Sequence, residues 1–173
     1  MKMSTLLPQM GKFGFFLICM AIAETTFATE PLLNQYVDGS RTGRIFPSEC
    51  CWMKLPPSER LTALKRAELG CSAIGGPVGK FKLESGKLWL TSLFKCSGEV
   101  ALQDVFPDLT SPALAQWLTG TFTAQVGLAC FDKHGKRIDS VKQVLTVEQG
   151  VVTSLIETKN DTSACSENVS HER

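Results

Sequence analysis

Lys80-Phe81-Lys82-Leu83-Glu84-Ser85-Gly86-Lys87-Leu88-Trp89-Leu90 is the stretch that decides the fold. Phe81 and Leu83 alternate with Lys80, Lys82 and Glu84, which gives an extended segment one core-facing side and one wet side. Glu84-Ser85-Gly86-Lys87 has turn chemistry, and the apolar run from Leu88 to Phe94 follows it, so the stretch reads as a β-hairpin. Beyond Cys96 and Gly98, Val100 and Leu102 begin a short apolar segment that Pro107 stops.

The strand pattern returns further along the chain. Between Thr121 and Phe131, Phe122, Ala124, Val126, Leu128 and Cys130 fall on one alternation, so Cys130 is expected to face the core with its apolar neighbours. Asp132 to Lys136 makes a turn, Val141, Leu145 and Val147 mark the next strand, and Gln149-Gly150 turns into Val151–Ile156. Short connections of this kind imply antiparallel pairing, since parallel strands need long crossovers. The expected core is Phe81, Leu83, Leu88, Leu90, Phe122, Val126, Leu128, Val141, Leu145 and Ile156. Each contributes roughly 1.5–3 kcal/mol when fully buried, most of it offset by chain entropy.

Two short helices accompany the strands. Ser58 caps the first and Glu59 suits its positive end, with Leu61, Leu64 and Ala67 as the apolar stripe and Gly70 as the stop. Ser111-Pro112 predicts the second, with Leu114, Trp117 and Leu118 turned inward. The fold class is therefore α+β or mostly β: a small antiparallel sheet domain with two short helices, stapled by disulfides.

The rest of the chain divides around that domain. Residues 1–28 have a basic start, a short apolar core at Phe13–Ala23 and small-residue exits, the pattern of a cleaved secretory signal with cleavage after Ala23 or Ala28. The apolar run is too short to span a bilayer. Cys19 follows Ile18 rather than a small residue, so it reads as part of the signal core and not as a lipid anchor. Residues 29–57 read as an irregular arm, broken by Pro31, Gly39, Gly43, Pro47 and Pro56-Pro57, with Arg41 and Arg44 in a solvated loop. The sheet domain spans 58–158 and a polar tail spans 159–173. The glycines between Gly75 and Gly79 match neither phosphate-binding spacing.

Export places the chain in an oxidising compartment, periplasmic or extracellular. Six cysteines remain after the signal, Cys50, Cys51, Cys71, Cys96, Cys130 and Cys165, and they allow 15 complete pairings. Their spacing contains neither a compact zinc-ligand pair nor a redox C-x-x-C, so no metal and no cofactor is expected. Losing Lys2, Lys12 and Glu24 with the signal leaves sixteen basic and sixteen acidic residues. Near-neutral charge gives no reason to seek nucleic acid. The mature chain carries no transmembrane span, which leaves membrane association to surface contacts alone.

Catalytic chemistry finds little to work with. His134 lies in a turn, His171 lies near the last residue, and Glu84, Glu99, Asp104 and Asp108 have no spacing that defines an acid pair. No residue receives a catalytic assignment. Asn160-Asp161-Thr162 and Asn168-Val169-Ser170 match the glycan-acceptor triplet. The surface feature with most chemistry is Lys80, Lys82, Lys87 and Trp89, a basic strand beside an aromatic ring. The expectation is a noncatalytic binding or assembly factor that holds a protein or glycan partner in the envelope or outside the cell. A secreted hydrolase and a purely structural envelope component are the alternatives.

Overall fold

The computed structural model describes residues 32–49, 52–67, 76–163 and 165. The expected signal, Cys50, Cys51, Cys71, Asn168 and His171 lie outside the described residues. Nine strands form one sheet: β1 (Asn34–Asp38), β2 (Arg41–Pro47), β3 (Val78–Glu84), β4 (Lys87–Lys95), β5 (Gly98–Val100), β6 (Ala113–Leu114), β7 (Gly120–Phe131), β8 (Arg137–Glu148) and β9 (Val151–Lys159). Two helices, α1 (Glu59–Ala67) and α2 (Leu102–Val105), complete the described elements. No described helix is long and apolar enough to cross a membrane.

The expected hairpin is present. Lys82 pairs with Trp89 and Glu84 with Lys87. Ser85 and Gly86 take φ of 51° and 69°, the two left-handed residues that a two-residue turn needs to match strand twist. Gln149 and Gly150 repeat the arrangement between β8 and β9. Ser58 also holds its expected place: its hydroxyl accepts from Leu61 N–H at 3.4 Å and donates to Val105 O at 2.7 Å, tying α1 to α2.

The pairing path closes on itself. The order β3-β1-β2-β7-β8-β9-β4 returns to β3 through the β3–β4 hairpin, so seven strands make a ring, with β5 and β6 added on β4. Tyr36, Ile45, Phe81, Leu88, Leu90 and Leu145 are fully buried in one cluster, to which Leu61, Leu102 and Val105 are added from the helices and their connections. Ring closure is thin at one place. The β4–β9 ladder is a single pair, Lys87 with Val151, flanked by Leu88 N–H to Gly150 O and Val152 N–H to Gly86 O, both 2.8 Å.

Several expectations need correction. The sheet is mixed, because β1 runs parallel to β3 from Gln35–Lys80 to Asp38–Leu83. The segment expected to be an irregular arm supplies β1 and β2, which take their hydrogen bonds from each other, from β3 and from β7. Gly43 has a structural purpose there: any Cβ would collide with Gln125 O across the β2–β7 pair. No helix follows Ser111-Pro112. Ala113 and Leu114 instead pair with Leu90 and Trp89, and Ala115 N–H donates to Leu88 O at 2.9 Å. The second helix sits at Leu102–Val105.

Two residues of the expected core are exposed. A register shift lies between Val126 and Ala129, and Gly127 takes φ 89°, so the alternation breaks and Leu128 is left 86% exposed. Cys130, beyond the bulge, is only part-buried, and it bridges Cys165 with a Cα–Cα separation of 5.7 Å. Ile156 is 62% exposed on β9. Cys96 is also disulfide-bonded.

Leu90→Ala should cost about 2–5 kcal/mol, as deletion from a fully enclosed site does, measured by denaturant unfolding. Replacing Cys130 and Cys165 together with alanine should cost about 2–4 kcal/mol through the 35-residue separation they close. An unchanged midpoint in the double variant would show that the bridge constrains nothing.

Candidate functional site

Strand alternation and the β3–β4 register together bring the expected binding residues to one surface. Lys80 and Lys82 alternate with buried Phe81, and Trp89 stands directly opposite Lys82. Carboxylates meet two of the three lysines. Lys82 Nζ lies 2.6 Å from Glu84, and Lys80 Nζ lies 3.5 Å from Glu99 on β5. The Ser92 hydroxyl donates to Glu99 and, with Lys80 nearby, holds that carboxyl below the usual range. Trp89 is half-buried and its indole N–H reaches Glu84 O at 3.4 Å. The face is thus mostly charge-compensated, and Lys87, exposed at the hairpin, lies next to the thin β4–β9 closure.

That closure opens into a seam along β9. Past Val152, no described strand pairs with the outer edge of β9. Asn160 N–H donates to Ser140 O at 3.0 Å, which fixes the parity of the strand. Thr158 and Ile156 therefore aim their backbone groups at β8, while Leu155, Glu157 and Lys159 aim theirs outward. Val151, Leu155 and Ile156 are 40%, 44% and 62% exposed, an apolar content unusual for an open strand.

Side chains bridge the seam where backbone does not. Arg41, at the start of β2, reaches Glu157 at 2.8 Å and Asp38 at 2.5 Å. Gln143 Nε2 donates to Asp38 at 2.8 Å and to Glu157 at 3.0 Å. The Gln143 amide, and after it the Arg41 guanidinium, holds the Glu157 carboxyl below its ordinary range. Tyr36 lies behind this group, and burial together with the Asp38 carboxylate pushes its phenol upward. Tyr36 Oη and Gln143 Oε1 are enclosed with no hydrogen-bond partner among the described residues.

Other residues considered for chemistry have local structural duties. In the β7–β8 turn, the Asp132 carboxylate accepts from the backbone N–H groups of His134 and Lys136, at 2.8 and 2.9 Å. Asn160 Nδ2, the nitrogen that a glycan would occupy, donates to Asp139 O at 2.6 Å. No cluster of His, Cys, Asp and Glu among the described residues is arranged to hold a metal ion. The seam residues Tyr36, Asp38, Arg41, Gln143 and Glu157 carry no sequence motif, because they come from four strands and meet only when the ring closes.

No family model, curated protein or solved structure matches this chain.

The depressed Glu157 carboxyl links the seam to pH. Its stabilising contribution is present above the unfolded-state value near 4.5 and is lost as pH falls through the lower folded-state value. Unfolding free energy should therefore drop on acidification below about pH 4.5, and Glu157→Gln should flatten part of that drop. Parallel acid-stability curves for the two proteins would show the seam group irrelevant.

Proposed function

We propose that the chain is an exported, noncatalytic binding or assembly factor that holds an extended segment of a protein partner along the outer edge of β9. One observation carries this reading: β9 combines outward-facing backbone groups with exposed Val151, Leu155 and Ile156. Strand addition uses both features, main-chain hydrogen bonds for affinity and alternate side-chain contacts for selection. Lys87, beside Val151, offers a positive charge at the start of that edge, and Trp89 lies two residues along β4. Lys80 and Lys82 have weaker claims because Glu99 and Glu84 already meet them. The Cys130–Cys165 bridge supports an oxidising compartment.

A protein partner fits this edge better than a glycan. A sugar needs directional donors and acceptors set around a ring platform, whereas β9 presents a ladder of peptide groups between apolar side chains. A photo-crosslinking residue at position 156, introduced in the exporting cell, should yield an adduct with a second polypeptide. Leu155→Lys in the same chain should remove the adduct while shifting stability by no more than about 0.5 kcal/mol, because the site is exposed. An adduct that survives Leu155→Lys, or none at all, would dismiss the edge as the contact surface.

A further inference from the structure

Away from the seam, we propose that a cleft at the start of β1 binds a small organic anion with a flat apolar body, an aromatic carboxylate being the simplest example. The cleft encloses about 530 Å³ between Asn34, the chain around Trp52, Lys65 of α1 and the entry to β3. That volume suits a small-molecule site, and such sites are mostly apolar with a few placed polar groups. Met53 and Val78 line the apolar part at 5% and 3% exposure.

Asn34 supplies the placed polar group. Its residue is 4% exposed, and Gly79 N–H donates to its Oδ1 at 2.8 Å. That bond fixes which end of the amide is which, since a backbone N–H needs the oxygen. Nδ2 is left as the outward end. It makes no hydrogen bond to a described residue, yet it is not among the sealed unpartnered atoms, so the cleft is what it faces. A buried amide donor aimed into an apolar cleft asks for an acceptor.

Charge narrows the class of that acceptor. Among the described residues Lys54 and Lys65 line the cleft and no carboxylate does, and neither lysine forms an ion pair with a described residue. Two ammonium groups and one amide N–H are donors only, which complements the oxygens of a carboxylate. Trp52 forms a wall that is 45% exposed. An indole face open to solvent gains most from a planar ring stacked on it. None of these residues lies on β9, so the cleft and the seam stand or fall separately.

The test is calorimetric titration of the full exported chain with 2-naphthoate, alongside 2-naphthylmethanol and inorganic phosphate. Saturable binding of 2-naphthoate is expected, with the alcohol and phosphate each weaker by about tenfold or more, as loss of one charge-assisted contact or the apolar body implies. Lys65→Gln and Trp52→Ala should each weaken 2-naphthoate by a similar factor, and Asn34→Asp should abolish it by replacing a donor with a negative charge. Lys65→Gln changes an exposed helix position, so it keeps the test open where Asn34→Asp fails to fold. Equal affinity for the neutral alcohol, equal affinity for phosphate, or no saturable binding at millimolar concentration overturns the proposal. None of these results bears on crosslinking from position 156.

Discussion

Strand β1 has neighbours on both sides, and the architecture depends on that double occupancy. On one side it pairs antiparallel with β2, and on the other it pairs parallel with β3. Without the parallel pair the sheet is open, with β3 and β1 as its exposed edges. With it, the interior is enclosed and Tyr36 and Phe81 become fully buried neighbours. Gly43 permits the next step around the ring, because β2 lies so close to Gln125 that no side chain fits between. Closure therefore rests on a backbone approach as well as on apolar burial.

The sequence disclosed those parts whose partners lie nearby. The Lys80–Leu90 hairpin was legible because alternation and a Ser-Gly turn sit within one short window, and Ser58 was legible because a cap acts on its own helix. Strands β1 and β2 were not, since Asn34–Asp38 is short and glycine and proline interrupt Arg41–Pro47. Their stability comes from residues far along the chain, as with Arg44 bonding Gln125 at 2.8 Å. Leu128 looked buried because period-two reasoning cannot see a bulge, and Ile156 looked buried because a continuous apolar run does not say which face is inside: it pairs with Val144, on the side away from buried Leu145. Alternation put Lys80 and Lys82 on one side of β3, but the pairing of Lys80 with Glu99 required the β4–β5 register. Asn34 and Trp52 escaped for a similar reason, as neither stands in a pattern and only the fold brings them to one cleft.

At the seam, different forces divide the work. Backbone hydrogen bonds hold β9 to β8 along its length, whereas past Val152 its other edge relies on Arg41, Gln143, Asp38 and Glu157. The half-exposed Arg41–Glu157 pair is solvent-screened and weak compared with a strand ladder, whereas the Gln143 amide acts from a fully buried residue. Glu157 and Lys159 also place charge on the outward-bonding positions, a common brake on indiscriminate edge pairing. Apolar Leu155 between exposed backbone groups works in the opposite sense. Together they favour a selected strand over an arbitrary one.

The closing pair β2–β7 also has a kinetic consequence. Hairpins β3–β4 and the β7–β8–β9 meander join residues close in sequence, so they can form early. Joining Gly43 to Val126 must close a long loop before any contact rewards it. Chains with such distant pairings fold slowly, and the transient species exposes unpaired edges meanwhile. A chain in which β3–β4 and β7–β9 have formed but β1 and β2 have not yet joined leaves the residues that later surround Tyr36 open to water. Assistance or proteolysis acting before β2 joins β7 would meet that open form rather than the finished ring.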